Sequence, residues 1–168
     1  MFRLYIVRHG PAVELGEKGV ETDFDRMLSQ DGLIKTRLAA SGLRAMNCRP
    51  WLILTSPLVR ATETADILKD VLQPEKGVGV DERLSPGVPM KQRLAMLLDQ
   101  PSYPTMVVGH MPDLAELASI LVAGKHASFS MTFKKAAACC ITFDEEIDYG
   151  TGCLDWLIQP RHLRALAE

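Results

Sequence analysis

The sequence predicts an α/β fold built on a mixed, mostly parallel sheet, and three observations carry that prediction. Short apolar runs alternate with stretches of helical length through most of the 168 residues. The first run, Leu4-Tyr5-Ile6-Val7, is continuously apolar, as in a strand buried on both faces. The last two, Ala137 to Phe143 and Cys153 to Ile158, flank the polar segment Asp144 to Gly152 and read as an antiparallel hairpin. A chain of this length suffices for one domain, residues 1–168, with most of its potential core buried.

Phe2 to Val7 is the first strand. Residues 10 to 28 form a long polar connection carrying Glu14, Glu17, Lys18, Glu21, Asp23, Asp25 and Arg26, a length that suits a lid or binding loop. Ser29 caps a helix running to about Met46, with Leu38 and Leu43 among its core-facing residues. Trp51 to Thr55 is the second strand. Ser56-Pro57 then opens a helix, serine as cap and proline at the first helical position, and Pro74 follows its end. Val78 to Val80 is a weak third strand, Leu84 to Pro89 a loop, and Met90 to Asp99 a short amphipathic helix. Thr105 to Val108 is a strong strand, and Asp113 caps the helix that runs on to Val122. Lys125 to Thr132 is irregular, and Arg161 to Ala167 offers a final helical turn or two.

Composition narrows the function. Hydrophobic residues make up 47% and charged ones 24%, the profile of a globular rather than a disordered chain. Nineteen Lys and Arg against 21 Asp and Glu give a formal charge of −2, which argues against nucleic acid as a general partner. No apolar run reaches the length of a membrane span or of a signal segment, so the cytoplasm is the expected setting. The cysteines, Cys48, Cys139, Cys140 and Cys153, lack metal-site spacing; Cys140 and Cys153 lie in apolar strands and read as reduced, buried thiols.

The chemistry gathers at strand ends, where an open α/β sheet places its ligand crevice. Arg8-His9-Gly10 ends the first strand, Ser56 to Arg60 follows the second, and Gly109-His110 ends the strong one. Gly10 lets backbone approach a ligand closely. Two arginines can share the oxygens of a phosphoryl group through forked, charge-assisted hydrogen bonds. Neighbouring cations disfavour protonation of a histidine and leave a ring nitrogen free for attack.

These residues resemble the histidine phosphatase superfamily, with its phosphoglycerate-mutase-like fold, and most closely its SixA-type phosphohistidine phosphatase branch. The resemblance rests on Arg8-His9-Gly10, Leu28-Ser29-Gln30-Asp31-Gly32, Ser56-Pro57-Leu58-Val59-Arg60-Ala61, Val107 to Pro112 and the closing Trp156 to Leu163. It implies a three-layer sandwich, a central sheet with helices on both faces. It also implies that His9 is the nucleophile and is transiently phosphorylated, while Arg8, Gly10, Arg60 and His110 surround the phosphate. Water then hydrolyses the intermediate, and the scheme needs neither metal nor cofactor.

The general acid of larger relatives corresponds to the stretch Asp81-Glu82-Arg83-Leu84, where Glu82 is the nearest candidate and Glu14 and Asp23 are rivals. A chain without a strong acid favours phosphoramidate substrates, because imidazole leaves with less help than an alkoxide. The leading expectation is therefore a phosphatase acting on phosphohistidine, borne by a protein such as a phosphotransfer domain. The alternatives are a small-molecule phosphomonoesterase and a phosphate-binding module without turnover. Several residues read as structural: Ser56 as a helix cap, residues 14 to 25 as a solvated face, and His126 and His162 as surface residues. Met90, Met96 and Met111 read as core or pocket filler, and Trp156 as packing for the last strand.

Overall fold

A computed structural model describes residues 1–100, 103–126 and 129–167. Its frame is a six-stranded sheet in the order β3-β2-β4-β1-β5-β6. The strands are β1 (Phe2–Arg8), β2 (Leu52–Thr55), β3 (Gly77–Val80), β4 (Thr105–Gly109), β5 (Ala138–Phe143) and β6 (Cys153–Ile158). Strands β1 to β4 pair in parallel, while β5 and β6 add antiparallel to the β1 edge, which makes the sheet mixed, as the sequence predicts. The helices are α1 (Gln30–Ala45), α2 (Val59–Leu72), α3 (Met90–Leu98), α4 (Asp113–Ala123) and α5 (Pro160–Ala165).

Alternation along each strand sorts the core into two layers. Leu4, Ile6, Leu54, Val107, Cys139 and Ile141 face one side and pack with α3 and α4 through Leu94, Leu97, Leu117 and Leu121. Tyr5, Val7, Ile53, Met106, Val108 and Cys140 face the other side and pack with α1, α2 and α5 through Ala39, Ala40, Ala61, Ala65, Leu68 and Leu163. The result is a three-layer α/β sandwich, as the resemblance implies. Among the described residues, no helix is long and apolar enough to cross a membrane.

Four local expectations are corrected. Leu38 is exposed, not core-facing, whereas Leu43 is buried as expected; the rest of the inner face of α1, Gly32, Thr36, Ala39, Ala40 and Gly42, consists of small residues that let α1 approach its neighbours. At Gly42 an added Cβ would fall 1.9 Å from the Leu163 carbonyl oxygen, so α5 sits directly on α1 backbone. Helix α2 begins at Val59, not at Ser56-Pro57. The chain is still bonded to the sheet at Ser56, whose N–H donates to the Val108 carbonyl at 3.0 Å, and its hydroxyl is engaged elsewhere.

Asp113 does not cap α4. Its carboxylate instead pairs with the Arg93 guanidinium at 2.8 Å and accepts the Gly87 N–H at 3.1 Å. A cation as buried as Arg93 requires such partners, and the carbonyls of Ser85 and Val88 complete the set. Cys153 is exposed, whereas Cys140 is buried as expected; β6 is an edge strand with one open face. The segment Glu82–Leu84 winds into a 3-10 turn before the loop that leads to α3.

The long connection after β1 is neither loose nor uniformly polar. Ala12 bridges Leu28, Val13 N–H donates to the Met27 carbonyl at 2.9 Å, and Ala12, Val13, Val20 and Leu28 are buried. It is pinned to α2 at two points: Leu28 N–H to Glu63 Oε2 at 2.6 Å, and Val59 N–H to the Phe24 carbonyl at 3.1 Å.

Candidate active site

The sheet order sets β2, β4 and β1 side by side, so the carboxyl ends of three parallel strands converge. Backbone bonds hold them level: His9 N–H to the Gly109 carbonyl at 3.1 Å, and Ser56 N–H to that of Val108 at 3.0 Å. Beyond these ends opens a cleft of about 410 Å³, lined by Arg8, His9, Arg60 and His110 together with Glu14, Asp23, Arg26, Pro86, Met111 and Lys135. The structure thus brings together four of the five side chains singled out from the sequence.

His9 is 6% exposed. Its Nδ1 lies 2.7 Å from the Gly10 carbonyl oxygen, an atom that only accepts, so Nδ1 carries the ring proton and Nε2 keeps its lone pair. Arg60 Nε donates to that Nε2 at 3.3 Å. Burial, opposed by the Gly10 hydrogen bond and reinforced by His110, Arg60 and Arg8, pushes the His9 pKa down to about 3. The ring is neutral at physiological pH. His110 stands 5.1 Å away, centroid to centroid, and burial followed by the charge of Arg60 lowers it to about 4.

Gly10 fits because nothing larger does: a Cβ there would meet Thr36 Oγ1 at 2.0 Å. Its N–H donates to Thr64 Oγ1 at 3.0 Å, and Thr64 in turn donates to the Arg60 carbonyl at 2.7 Å. Thr64 thereby ties the strand end to the turn of α2 that carries Arg60. Its i+4 spacing from Arg60 was the available signal, since such residues share a helix face.

Arg60 is buried, with Nη1 donating to the Asp23 carbonyl at 2.7 Å and Nη2 to the Asp23 carboxylate at 3.0 Å. Arg26 donates to the other carboxylate oxygen at 3.0 Å and to Glu14 at 3.2 Å. Burial favours the neutral acid at Asp23, but the hydrogen bonds from Arg26 and Arg60 outweigh it and hold this carboxyl below its usual range. Residues 14 to 25 are therefore more than a solvated face. Asp23 and Glu14 belong to the cleft, both in the grip of arginines.

Glu82 is not brought to the cleft. Its carboxylate accepts the Ser85 hydroxyl at 3.4 Å within its own 3-10 turn, and Pro86 is what this segment contributes to the lining. The expected helix cap Ser56 is wholly buried, its Oγ 2.8 Å from His110 Nε2. Two buried polar atoms of the site have no partner among the described residues, Arg8 Nε and His110 Nδ1. A buried polar group without a partner carries a desolvation cost, which a hydrogen bond to an oxyanion would remove. Residues 127 and 128, within the stretch read from sequence as irregular, lie outside the described residues.

Comparison with known proteins agrees with this geometry. The family model of the histidine phosphatase superfamily (branch 1) matches residues 4–85. An uncharacterized protein of Picosynechococcus sp. is 35% identical over 137 residues, which cover 79% of this chain and 80% of that one. Phosphohistidine phosphatase SixA of Escherichia coli K12 is 26% identical over 166 residues, 96% of each chain. The structure of the protein histidine phosphatase SixA complexed with tungstate superposes with a TM-score of 0.82 at 26% identity, covering 96% of this chain and 99% of that one. The sheet order, the convergent strand ends and these likenesses lead to one conclusion: the chain belongs to the histidine phosphatase superfamily, in its SixA-type branch, and is a phosphatase.

Proposed function

We propose that the protein removes the phosphoryl group from a phosphohistidine borne by another protein, with His9 as nucleophile. The observation that carries this reading is the state of the His9 ring: neutral, its proton committed to the Gly10 carbonyl, its Nε2 lone pair turned to Arg60. Nε2 attacks phosphorus as the P–N bond of the substrate breaks, and the departing imidazole takes a proton from water. The positive charge that grows on His9 is met by the Gly10 carbonyl, which also fixes the ring's orientation. Arg8, Arg60 and His110 stabilise the transferring oxygens, and water then attacks the phospho-His9, releasing phosphate and restoring the ring.

The carboxylates support this substrate class. Glu14 and Asp23, those lining the cleft among the described residues, are both ion-paired, and Asp23 is held in its charged form. Asp23 is thus not poised to protonate an alkoxide, which an alkyl phosphate requires, whereas imidazole is an adequate leaving group without an acid. The name of the Escherichia coli relative supports the same assignment. Glu82 has no part in this scheme. All four cysteines are free thiols, which suits the reducing cytoplasm as the setting.

The test is phosphate release from a phosphohistidine-bearing phosphotransfer protein and from an alkyl phosphate, with wild type and His9→Ala. Turnover of the phosphohistidine, abolished by His9→Ala, is the expected result. A wild-type preference for the alkyl phosphate would overturn the substrate assignment and require an acid outside the present scheme.

A further inference from the structure

Ser56 reads from sequence as a helix cap and does something else. Its side chain is wholly buried, and its Oγ receives the Leu58 N–H at 3.4 Å and stands 2.8 Å from His110 Nε2. A hydroxyl has one proton to give, and among the described residues Nε2 is the acceptor within its reach. The shared hydrogen bond can run two ways. If Nε2–H donates to Oγ, the hydroxyl proton is buried without an acceptor and the His110 Nδ1 lone pair is buried without a donor. If Oγ–H donates to Nε2, the hydroxyl is satisfied as donor and acceptor, and one group alone is left over: an N–H at Nδ1.

That leftover group is the kind the site needs. His110 lines the cleft beside His9, and Nδ1 is its one ring nitrogen without a partner among the described residues. An N–H there attracts a phosphoryl oxygen; a lone pair there repels it. We propose that Ser56 is a positioning residue whose hydroxyl donates to His110 Nε2 and holds the ring as its Nδ1–H tautomer, which makes His110 a hydrogen-bond donor to the transferring phosphoryl group. The two histidines of the site then share one tautomer set by partners of opposite kind. A carbonyl acceptor at Nδ1 leaves His9 with a nucleophilic Nε2; a hydroxyl donor at Nε2 leaves His110 with a donor Nδ1.

This inference rests on the phosphoryl-transfer reading of the site but not on the identity of the substrate, and its test needs no turnover. Long-range ¹H–¹⁵N correlation NMR at neutral pH, with His110 assigned by the signal lost in His110→Gln, reports which ring nitrogen is protonated. The expected wild-type pattern is a protonated Nδ1 and an unprotonated Nε2; the reverse overturns the proposal whatever any variant does. In Ser56→Ala the ring should move toward the Nε2–H form, and affinity for inorganic phosphate, read by calorimetry, should fall about tenfold or more. Ser56→Thr, which keeps the hydroxyl, should restore the wild-type tautomer and affinity. A folded Ser56→Ala protein with both unchanged would also refute the idea. Should phosphohistidine turnover be absent while tautomer and phosphate affinity behave as stated, the substrate assignment falls and the role of Ser56 stands.

Discussion

The two faces of the sheet are packed by different means. Helices α3 and α4 cover one face with bulky side chains, among them Leu94, Met96, Leu97, Leu114, Leu117 and Leu121. The other face is covered by α1, α2 and α5, where Ala39, Ala40, Gly42, Ala61 and Ala65 bring backbones close. The second face is also the one that positions the site. Arg60 and Thr64 project from α2, Thr36 fills the space over Gly10, and a Cβ on Gly32 would fall 1.9 Å from the Pro11 carbonyl oxygen. Large apolar residues fill volume and can readjust, whereas small residues fix distances. The difference teaches that one layer chiefly supplies burial while the other also supplies geometry.

The comparison can be broken by loading each face in turn. Leu121→Ala, wholly buried on α4, should cost about 2–5 kcal/mol in chemical denaturation while kcat of the folded enzyme stays within about twofold. Gly10→Ala, on the precise face, should cost about 1–3 kcal/mol because Thr36 must move. It should also slow turnover about a hundredfold by displacing the neighbouring His9, as small misplacements do. Equal losses of kcat in these two variants would abolish the distinction between the faces. The smallest effect is expected for Leu38→Gln on the outward side of α1: a change within about 0.5 kcal/mol, read by thermal unfolding. A larger loss there would show that the outer side of α1 is engaged in something beyond the fold.

The elements themselves were legible because their signals are local. Continuous apolar runs marked β1, β2 and β4, and Ser29 caps α1 through the Gly32 N–H as read. Two of the errors share a cause. Ser56 and Asp113 have the side chains of helix caps, but each had a stronger suitor from elsewhere in the chain, His110 for one and Arg93 for the other. Leu38 follows the apolar rule, yet α1 turns its small residues inward, because Gly42 must touch the backbone of α5, which lies far along the chain. Glu82 stands where an acid was sought by sequence position, and the local 3-10 turn keeps its carboxylate away from the cleft.

By itself, the sequence determined the mixed α/β architecture, the three strand ends that bear chemistry, and the four residues His9, Arg8, Arg60 and His110 that meet in one cleft. These follow from periodicity and from residue types whose placement at strand ends is a property of short segments. The tertiary structure alone decided how the protons and charges of that cleft are arranged. The Gly10 carbonyl fixes the His9 tautomer, Asp23 engages Arg60 from within the long connection, and Ser56 reaches His110 between neighbouring strands. Such choices depend on distances of a few ångströms between residues up to 54 positions apart, and a linear pattern does not carry that information.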